Sequence, residues 1–227
     1  MIVLGIETAT DVCAVGVARG EAVLAAASVH VPRSHATRLA RLVAEALAHA
    51  RLTPAEIDVV AVSAGPGSYT GLRIGASLAR GLCLATGARL VGVPTMAALA
   101  AEAADRVAGG EALVVALPSR RGELYLGVAG AGAPEAVALA DARAWLDGRM
   151  PAGVPLACAG PAAEALRDAL APRAVRVLAV APSGARIAQM GAGIARTVAE
   201  GGPFEPAYIG TFATPPAGKP AAPVTPP

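Results

Sequence analysis

Aromatic side chains are scarce: phenylalanine, tyrosine and tryptophan together make up 3% of the 227 residues. A core without them has to be closed by alanine, valine and leucine, which favours closely approaching backbones. The same scarcity removes the interleaved aromatic and basic residues that stack on single-stranded nucleic acid. Basic charge is also thin. Lys+Arg number 19 against 17 Asp+Glu, for a net charge of +2, and no block of consecutive basic residues occurs. Direct RNA binding by this chain alone is therefore disfavoured. Cys13, Cys83 and Cys158 are odd in number, far apart and without a CxxC pair, so they read as buried thiols of a reducing compartment. The opening MIVLGIETAT has no basic region and meets Glu7 after a very short apolar run, unlike a signal peptide. No apolar run approaches the roughly eighteen residues of a membrane span. A cytoplasmic protein with no membrane contact is expected.

Apolar residues are abundant, at 55% against 16% charged, enough for a sizeable core. Residues 3–6, 12–18 and 22–31 read as three strands joined by tight turns. Ser34 is placed to cap a helix to about residue 50, with Leu39, Val43, Ala46, Leu47 and Ala50 on one face and Arg38, Arg41, Glu45 and His49 on the other. Thr53-Pro54-Ala55-Glu56 is a capping box. A strand over 57–63 then leads through a glycine-rich turn into a helix over 70–86, which Gly87 can end. A strand over 90–93 and a helix capped by Thr95 come next. After Gly109-Gly110 the pattern repeats in reduced form. Strands are expected at 112–117, 123–129, near Ala136, at 155–159 and at 175–180, and helices at 141–146, 161–170 and 183–200. This predicts two α/β lobes of related topology: residues 1–108, a smaller lobe over 109–200, and a segment 201–227 ending in a disordered proline-rich tail over 214–227.

The turn in VSAGPGSYTGLRIGASLARG (residues 62–81) admits three readings. A P-loop places Lys-Ser or Lys-Thr directly after its last glycine; Leu72-Arg73 stands after Gly71 here, so that reading fails. A GxGxxG dinucleotide fingerprint finds Gly65 and Gly67 but Thr70 at its third glycine. No acid stands in Val93-Pro94-Thr95, where one should bind a ribose, so a nucleotide-cofactor enzyme is a distant alternative. The third reading is packing. Gly71, Gly75 and Ala79 recur every fourth residue, and each helix-interior glycine costs about 1 kcal/mol against alanine. A close neighbour must compensate, either inside the same lobe or on a partner helix. Ser68 reads as the N-cap of this helix rather than a nucleophile, because no GxSxG elbow surrounds it.

These residues also carry a resemblance. Gly65-Pro66-Gly67-Ser68-Tyr69-Thr70-Gly71-Leu72-Arg73-Ile74-Gly75 resembles the signature turn and helix of the TsaB family, bacterial proteins of tRNA threonylcarbamoyladenosine synthesis. Ile6-Glu7-Thr8-Ala9-Thr10 is similar to that family's opening turn. Arg120-Arg121-Gly122-Glu123-Leu124-Tyr125 is similar to its second-lobe hairpin, and Glu205-Pro206-Ala207-Tyr208-Ile209 to its C-terminal motif. The resemblance implies two ribonuclease-H-like lobes of the actin/Hsp70/sugar-kinase superfamily. It also implies a non-catalytic scaffold that binds and activates a related, metal-binding TsaD subunit, with a TsaE-like ATPase in the complex and tRNA met only indirectly.

The sequence departs from the family pattern in the cleft. Glu7 stands where Asp is usual, Pro118 where the second lobe usually has Asp, and Gly210 where Arg often comes after the tyrosine. Proline cannot ligate Mg²⁺. The histidines, His30, His35 and His49, lack the His-x-x-x-His spacing of the catalytic relative. No intrinsic cofactor is therefore expected, with ATP or ADP and Mg²⁺ acting at the level of the complex. Glu7, Thr8, Thr10, Gly65, Gly67 and Ser68 would line a vestigial nucleotide cleft. Glu7 and Asp11 could pair across it, but a turn carboxylate bonded to backbone N–H groups is the better reading of Glu7. Leu39, Gly71, Leu72, Arg73, Gly75, Leu78, Ala79 and Leu82 would meet the partner, or a second copy when the chain is alone. The alternative is an enzyme in its own right, an ATPase or a peptidase acting on the partner.

Overall fold

The computed structural model of the chain describes residues 1–31, 34–151, 153–197 and 205–206. The motif beyond Pro206, residues 198–200 of the expected final helix, and the proline-rich tail lie outside the described residues. Strands β1 (Ile2–Glu7), β2 (Val12–Arg19) and β3 (Ala22–His30) form an antiparallel meander. Strands β4 (Val59–Ser63) and β5 (Arg89–Val93) add in parallel to the other side of β1, giving the order β3-β2-β1-β4-β5. β1 and β4 read as continuous apolar runs because both of their faces are covered. The pleat sends Ile2, Leu4 and Ile6 to one side, against helix α1 (His35–Ala50). It sends Val3 and Gly5 to the opposite side.

The second lobe repeats this order. Strands β6 (Ala112–Pro118), β7 (Glu123–Val128) and β8 (Ala131–Ala138) form the meander, and β9 (Leu156–Ala159) and β10 (Val175–Leu178) add in parallel, as β10-β9-β6-β7-β8. The protein is thus α/β, with two lobes whose five-stranded sheets share the ribonuclease-H-like strand order expected. β8 is a full strand of eight residues, longer than the weak signal near Ala136 predicts, and Pro134 fits because β8 is an edge. Helices α4 (Ala142–Asp147) and α5 (Ala163–Ala169) cover the outer face with Ala142, Leu146, Ala163 and Leu166.

Helix α2 (Tyr69–Thr86) starts as predicted, with Ser68 Oγ accepting from Gly71 N at 3.2 Å, and ends at Gly87 in the left-handed region. Two expected caps act differently. Ser34 Oγ donates to Val31 O at 2.7 Å instead of capping α1. Thr95, the first residue of α3 (Thr95–Ala103), turns its Oγ1 to accept from Gly65 N at 3.1 Å. The buried face of α1 includes Leu39, Val43, Ala46 and Leu47 as predicted, with Leu42 and His35 added.

The final helix, α6 (Gly184–Thr197), corrects the boundary drawn at 109–200. It packs on the first sheet, where Ile187, Ala188, Ala192 and Ala195 join Val3, Ala61 and Val91 in one cluster. The approach is backbone on backbone. A Cβ on Gly184 would fall on the Val15 main chain, one on Gly5 on the Gly184 carbonyl oxygen, and one on Gly16 on Ala185 N. Helix α3 in turn faces the second sheet, placing Met96 and Leu99 against Val115 and Leu117. The two lobes therefore share the helical layer between their sheets. No helix among the described residues is long and apolar enough to cross a membrane.

Candidate functional site

The lobes face one another across a cleft of about 670 Å³. From the first lobe, the ends of β1 and β3 and the glycine turn bring Thr10, Asp11, His30 and Ser68 to it. From the second come Pro118, Ser119, Pro161 and Pro182. Asp11 reaches the cleft, as the pairing weighed for it required, whereas His30, Ser119, Pro161 and Pro182 do not figure among the residues predicted there. The position just after a strand end, shared by Ser119 after β6 and Pro161 after β9, is the signal that could have found two of them.

Glu7 lies beneath the cleft rather than in it. Only 1% of it is exposed, and burial pushes its carboxyl up from 4.5 to about 7, against the opposing pull of its hydrogen bonds. Oε1 accepts from Ala9 N at 2.6 Å, the turn arrangement preferred from sequence. Asp11 is exposed, so the two carboxylates belong to different environments. Ser63 Oγ accepts from Thr8 N at 3.2 Å, which fixes the other side of the same turn.

The glycine turn spends its amides inside the protein. Gly65 N donates to Thr95 Oγ1, Ser68 N to Ala9 O at 2.7 Å, and Gly71 N to Ser68 Oγ. Gly65 has φ 98°, a left-handed value that glycine tolerates, and the Gly65–Pro66 peptide is cis. Such a turn launches a helix and clamps it to the β1–β2 turn; it is not an open phosphate cradle.

The stripe of small residues has the same purpose. Gly71, Gly75 and Ala79 lie inside the lobe, and Cβ atoms on Gly71 and Gly75 would collide with the carbonyl and hydroxyl oxygens of Thr8. The close neighbour predicted as a partner helix is the protein's own β1–β2 turn. Thr8 Oγ1 is buried there without a hydrogen-bond partner. Of the other residues predicted to meet a partner, Leu39 and Leu72 are buried, and Leu78 and Leu82 are half-buried against the first-lobe core. Only Arg73 is exposed; its Nη1 donates to Tyr69 Oη at 2.8 Å.

A nucleotide with Mg²⁺, weighed for this cleft from the sequence, does not fit the donors present. Glu7 is buried and holds Ala9 N, and the second-lobe wall offers Pro118, Ser119, Pro161 and Pro182 in place of a carboxylate. The histidines do not converge either. His30 lines the cleft, buried His35 places Nε2 3.4 Å from Val12 O, and His49 contacts Glu45 O on the surface of α1. Among the described residues no three His, Cys, Asp or Glu side chains come together.

Comparison with known proteins agrees with this architecture. The family model described as TsaD, tRNA N6-adenosine threonylcarbamoyltransferase, matches residues 28–142, just over half of the chain. The Escherichia coli (strain K12) tRNA threonylcarbamoyladenosine biosynthesis protein TsaB is 34% identical over 125 residues, covering 55% of this chain and 53% of that protein. The chain thus spans about half the length of the curated relatives it matches. The tRNA N6-adenosine threonylcarbamoyltransferase of Dinoroseobacter shibae is 40% identical over 112 residues, covering 43% and 32%. Among solved structures, YeaZ from Pseudomonas aeruginosa superposes with a TM-score of 0.71 at 26% identity, covering 86% of this chain and 92% of that one. Another, described as an uncharacterized protein with similarity to the peptidase YeaZ from Pseudomonas aeruginosa, gives 0.74 at 26%, covering 92% and 98%.

Proposed function

Because the chain belongs to the TsaD family of tRNA N6-adenosine threonylcarbamoyltransferases and is similar to TsaB proteins, we propose that it serves threonylcarbamoyladenosine synthesis as a non-catalytic subunit. Its task is to bind and activate a TsaD-like catalytic relative. The observation that carries this reading is the second-lobe wall of the cleft, where prolines and one serine stand in place of a metal-binding carboxylate. Nucleotide and Mg²⁺ chemistry then belongs to the assembled complex, with a TsaE-like ATPase, and tRNA is met through the catalytic relative.

The surface for that relative is the outward side of the α1–α2 pair. Tyr69, Arg73, Ser77, Arg80 and Leu84 recur at steps of three and four and are all exposed, Leu84 at 91%. A shallow groove between Ala36 of α1 and Tyr69, Thr70, Arg73 and Ser77 of α2 lies at one end. A helix from the relative laid along it would bury Leu84 and the Tyr69–Arg73 pair, whose guanidinium carbon sits 5.3 Å from the ring centre.

The test is to co-purify the chain with the TsaD-like protein of its own organism and to assay tRNA threonylcarbamoylation with and without it. The subunit reading expects modification only when both are present, and loss of the complex with Arg73→Glu combined with Leu84→Asp. Mg²⁺-dependent ATP hydrolysis or peptide cleavage by the pure chain would instead establish it as an enzyme in its own right.

A further inference from the structure

Each lobe seats the helix that the other one sends across. α3 leaves the first sheet at Pro94, directly after β5, and lays Met96 and Leu99 on Val115 and Leu117 of the second sheet. Its last residue, Ala103, joins Leu113, Ala157 and Leu178 of that same sheet. α6 makes the opposite journey, leaving β10 through residues 179–183 and resting on the first sheet.

Both helices are fastened where they arrive. Beyond the end of α3, Arg106 Nη1 donates to Ala179 O, and Arg176 Nη2 donates to Arg106 O at 2.7 Å. Arg176 is also paired with Glu111, whose Oε2 accepts from Ala108 N at 2.8 Å. α6 is held by its close approach to Gly5 and Gly16, by Gln189 Nε2 donating to Glu21 O at 2.8 Å, and by Arg89 Nη1 donating to Ala195 O at 2.9 Å. The contact between the two helices is lighter. α3 contributes Ala98 alone to the cluster around Ile187, Ala188 and Ala192 of α6. Its one charged residue, Glu102, accepts from Arg186 Nε of α6 at 3.2 Å, with the two side chains 30% and 32% exposed. Among the described residues no other ion pair joins the two helices.

We propose that the lobes move as two bodies, the first sheet with α6 and the second sheet with α3, and that the Glu102–Arg186 pair is the latch that sets the angle between them. Small side chains at a helix contact give little relief against sliding, which is the shear form of domain motion. The pivot is the start of α3, where Thr95 N donates to Gly65 O at 2.9 Å and Gly65 N donates back to Thr95 Oγ1. Glu102 lies two turns further on, about 10 Å along the helix, so a small rotation at the pivot is felt at the latch. The second crossing, 179–183, is neither helix nor strand and can follow the movement. The cleft changes width as the angle changes, because Asp11 and Ser68 travel with one body and Ser119 and Pro161 with the other. A pair this exposed biases a two-state balance by a factor of about two to five rather than locking it. A molecule that touches both lobes can therefore select one angle, whichever partner that is.

The experiment measures the distance between the lobes of the full chain by pulsed electron paramagnetic resonance. Spin labels are placed on Ala48→Cys of α1 and Ala165→Cys of α5, both at exposed positions. Cys83→Ser removes the one thiol that is not buried, and Cys13 and Cys158 are shielded from the label by burial. With Glu102 and Arg186 intact, one narrow distance distribution is expected. Glu102→Arg sets two guanidiniums against each other and is expected to broaden that distribution at least about twofold. Glu102→Gln, which keeps the size of the side chain, should broaden it less and keeps the test decisive if the arginine variant fails to fold. Glu102→Arg combined with Arg186→Glu puts opposite charges back and should return the narrow distribution. An ion pair that serves stability alone would move the melting temperature and leave the distances unchanged. The proposal is overturned if the distribution is already broad with the pair intact, or if it stays narrow in both single variants. It is equally overturned if the reversed pair remains as broad as Glu102→Arg.

Discussion

The two sheets share a strand order but differ in the helix reached from the fourth strand of each. In the first lobe β4 leads into Gly65-Pro66-Gly67, and in the second β9 leads into Gly160-Pro161. Both turns dock on the first strand's end in the same way: Ser68 N donates to Ala9 O, and Ala162 N to Ala116 O at 3.1 Å. Both need a glycine there, because a Cβ on Gly67 would strike Ala9 O and one on Gly160 would strike Ala116 O. Beyond the turn, α2 has 18 residues and a serine cap, whereas α5 has seven and no side-chain cap. A long helix can hold one face on its own core and offer the opposite one to another molecule. The two-turn α5 exposes only Glu164, Ala165, Arg167 and Asp168, a short charged face with no large apolar side chain. That asymmetry is why we propose the partner surface on the first lobe, although both lobes are built alike.

The comparison can be broken most severely at Gly184, whose backbone seats α6 on the first sheet. Gly184→Val should cost more than about 4 kcal/mol through overpacking that no rotamer relieves. Urea titration would show it, and a loss under about 1 kcal/mol would mean α6 is not fixed there. The second lobe depends on ordinary side-chain burial instead. Leu166→Ala, at a fully buried site, should cost about 3 kcal/mol by the same measurement.

Glu7 distinguishes the lobes by pH, since Pro118 stands at the end of the equivalent strand. The folded chain holds the Glu7 proton up to about pH 7, while the unfolded chain releases it near 4.5. This stability contribution is therefore complete below about pH 4.5 and is lost as pH rises to about 7. Its size is on the order of 3 kcal/mol. Glu7→Gln, whose Oε1 can still accept from Ala9 N, should flatten that slope and leave the variant more stable than wild type at pH 8. Melting temperatures across the range would settle it, an unchanged slope counting against the buried, protonated carboxyl.

Smaller effects sharpen the picture. Thr8→Val removes a buried hydroxyl that has no partner and should stabilise the first lobe by about 1 kcal/mol. Leu84→Ser should change stability by less than about 0.5 kcal/mol, because the side chain is in solvent, yet reduce affinity for the catalytic relative measured by calorimetry. The reverse pattern, with lost stability and unchanged affinity, would remove α2 from the interface.

Much of this was legible in the residues. The apolar steps of α1, the meander of the first three strands, the Ser68 cap and the Gly87 stop all come from local periodicity and turn chemistry. The repeat of strands and helices after Gly109-Gly110 was also readable and carries the fold class. The direction of the Gly71–Gly75 stripe was not. Spacing of small residues says that something approaches closely, and it is silent on whether a turn of the same lobe or a foreign helix does so. The small residues of α6 carry the same kind of signal, and its destination was hidden for the same reason.

Taken alone, the sequence determined the elements, because hydrogen-bonded periodicity and capping act over a few residues. It also determined which positions needed glycine, since positive φ and missing side-chain volume are local properties. Only the tertiary structure decided which backbone each glycine meets, that Glu7 is buried while Asp11 faces the cleft, and that α6 returns to the first sheet. Those outcomes depend on contacts between residues far apart in the chain, such as Gly5 with Gly184, whose pairing no local rule encodes.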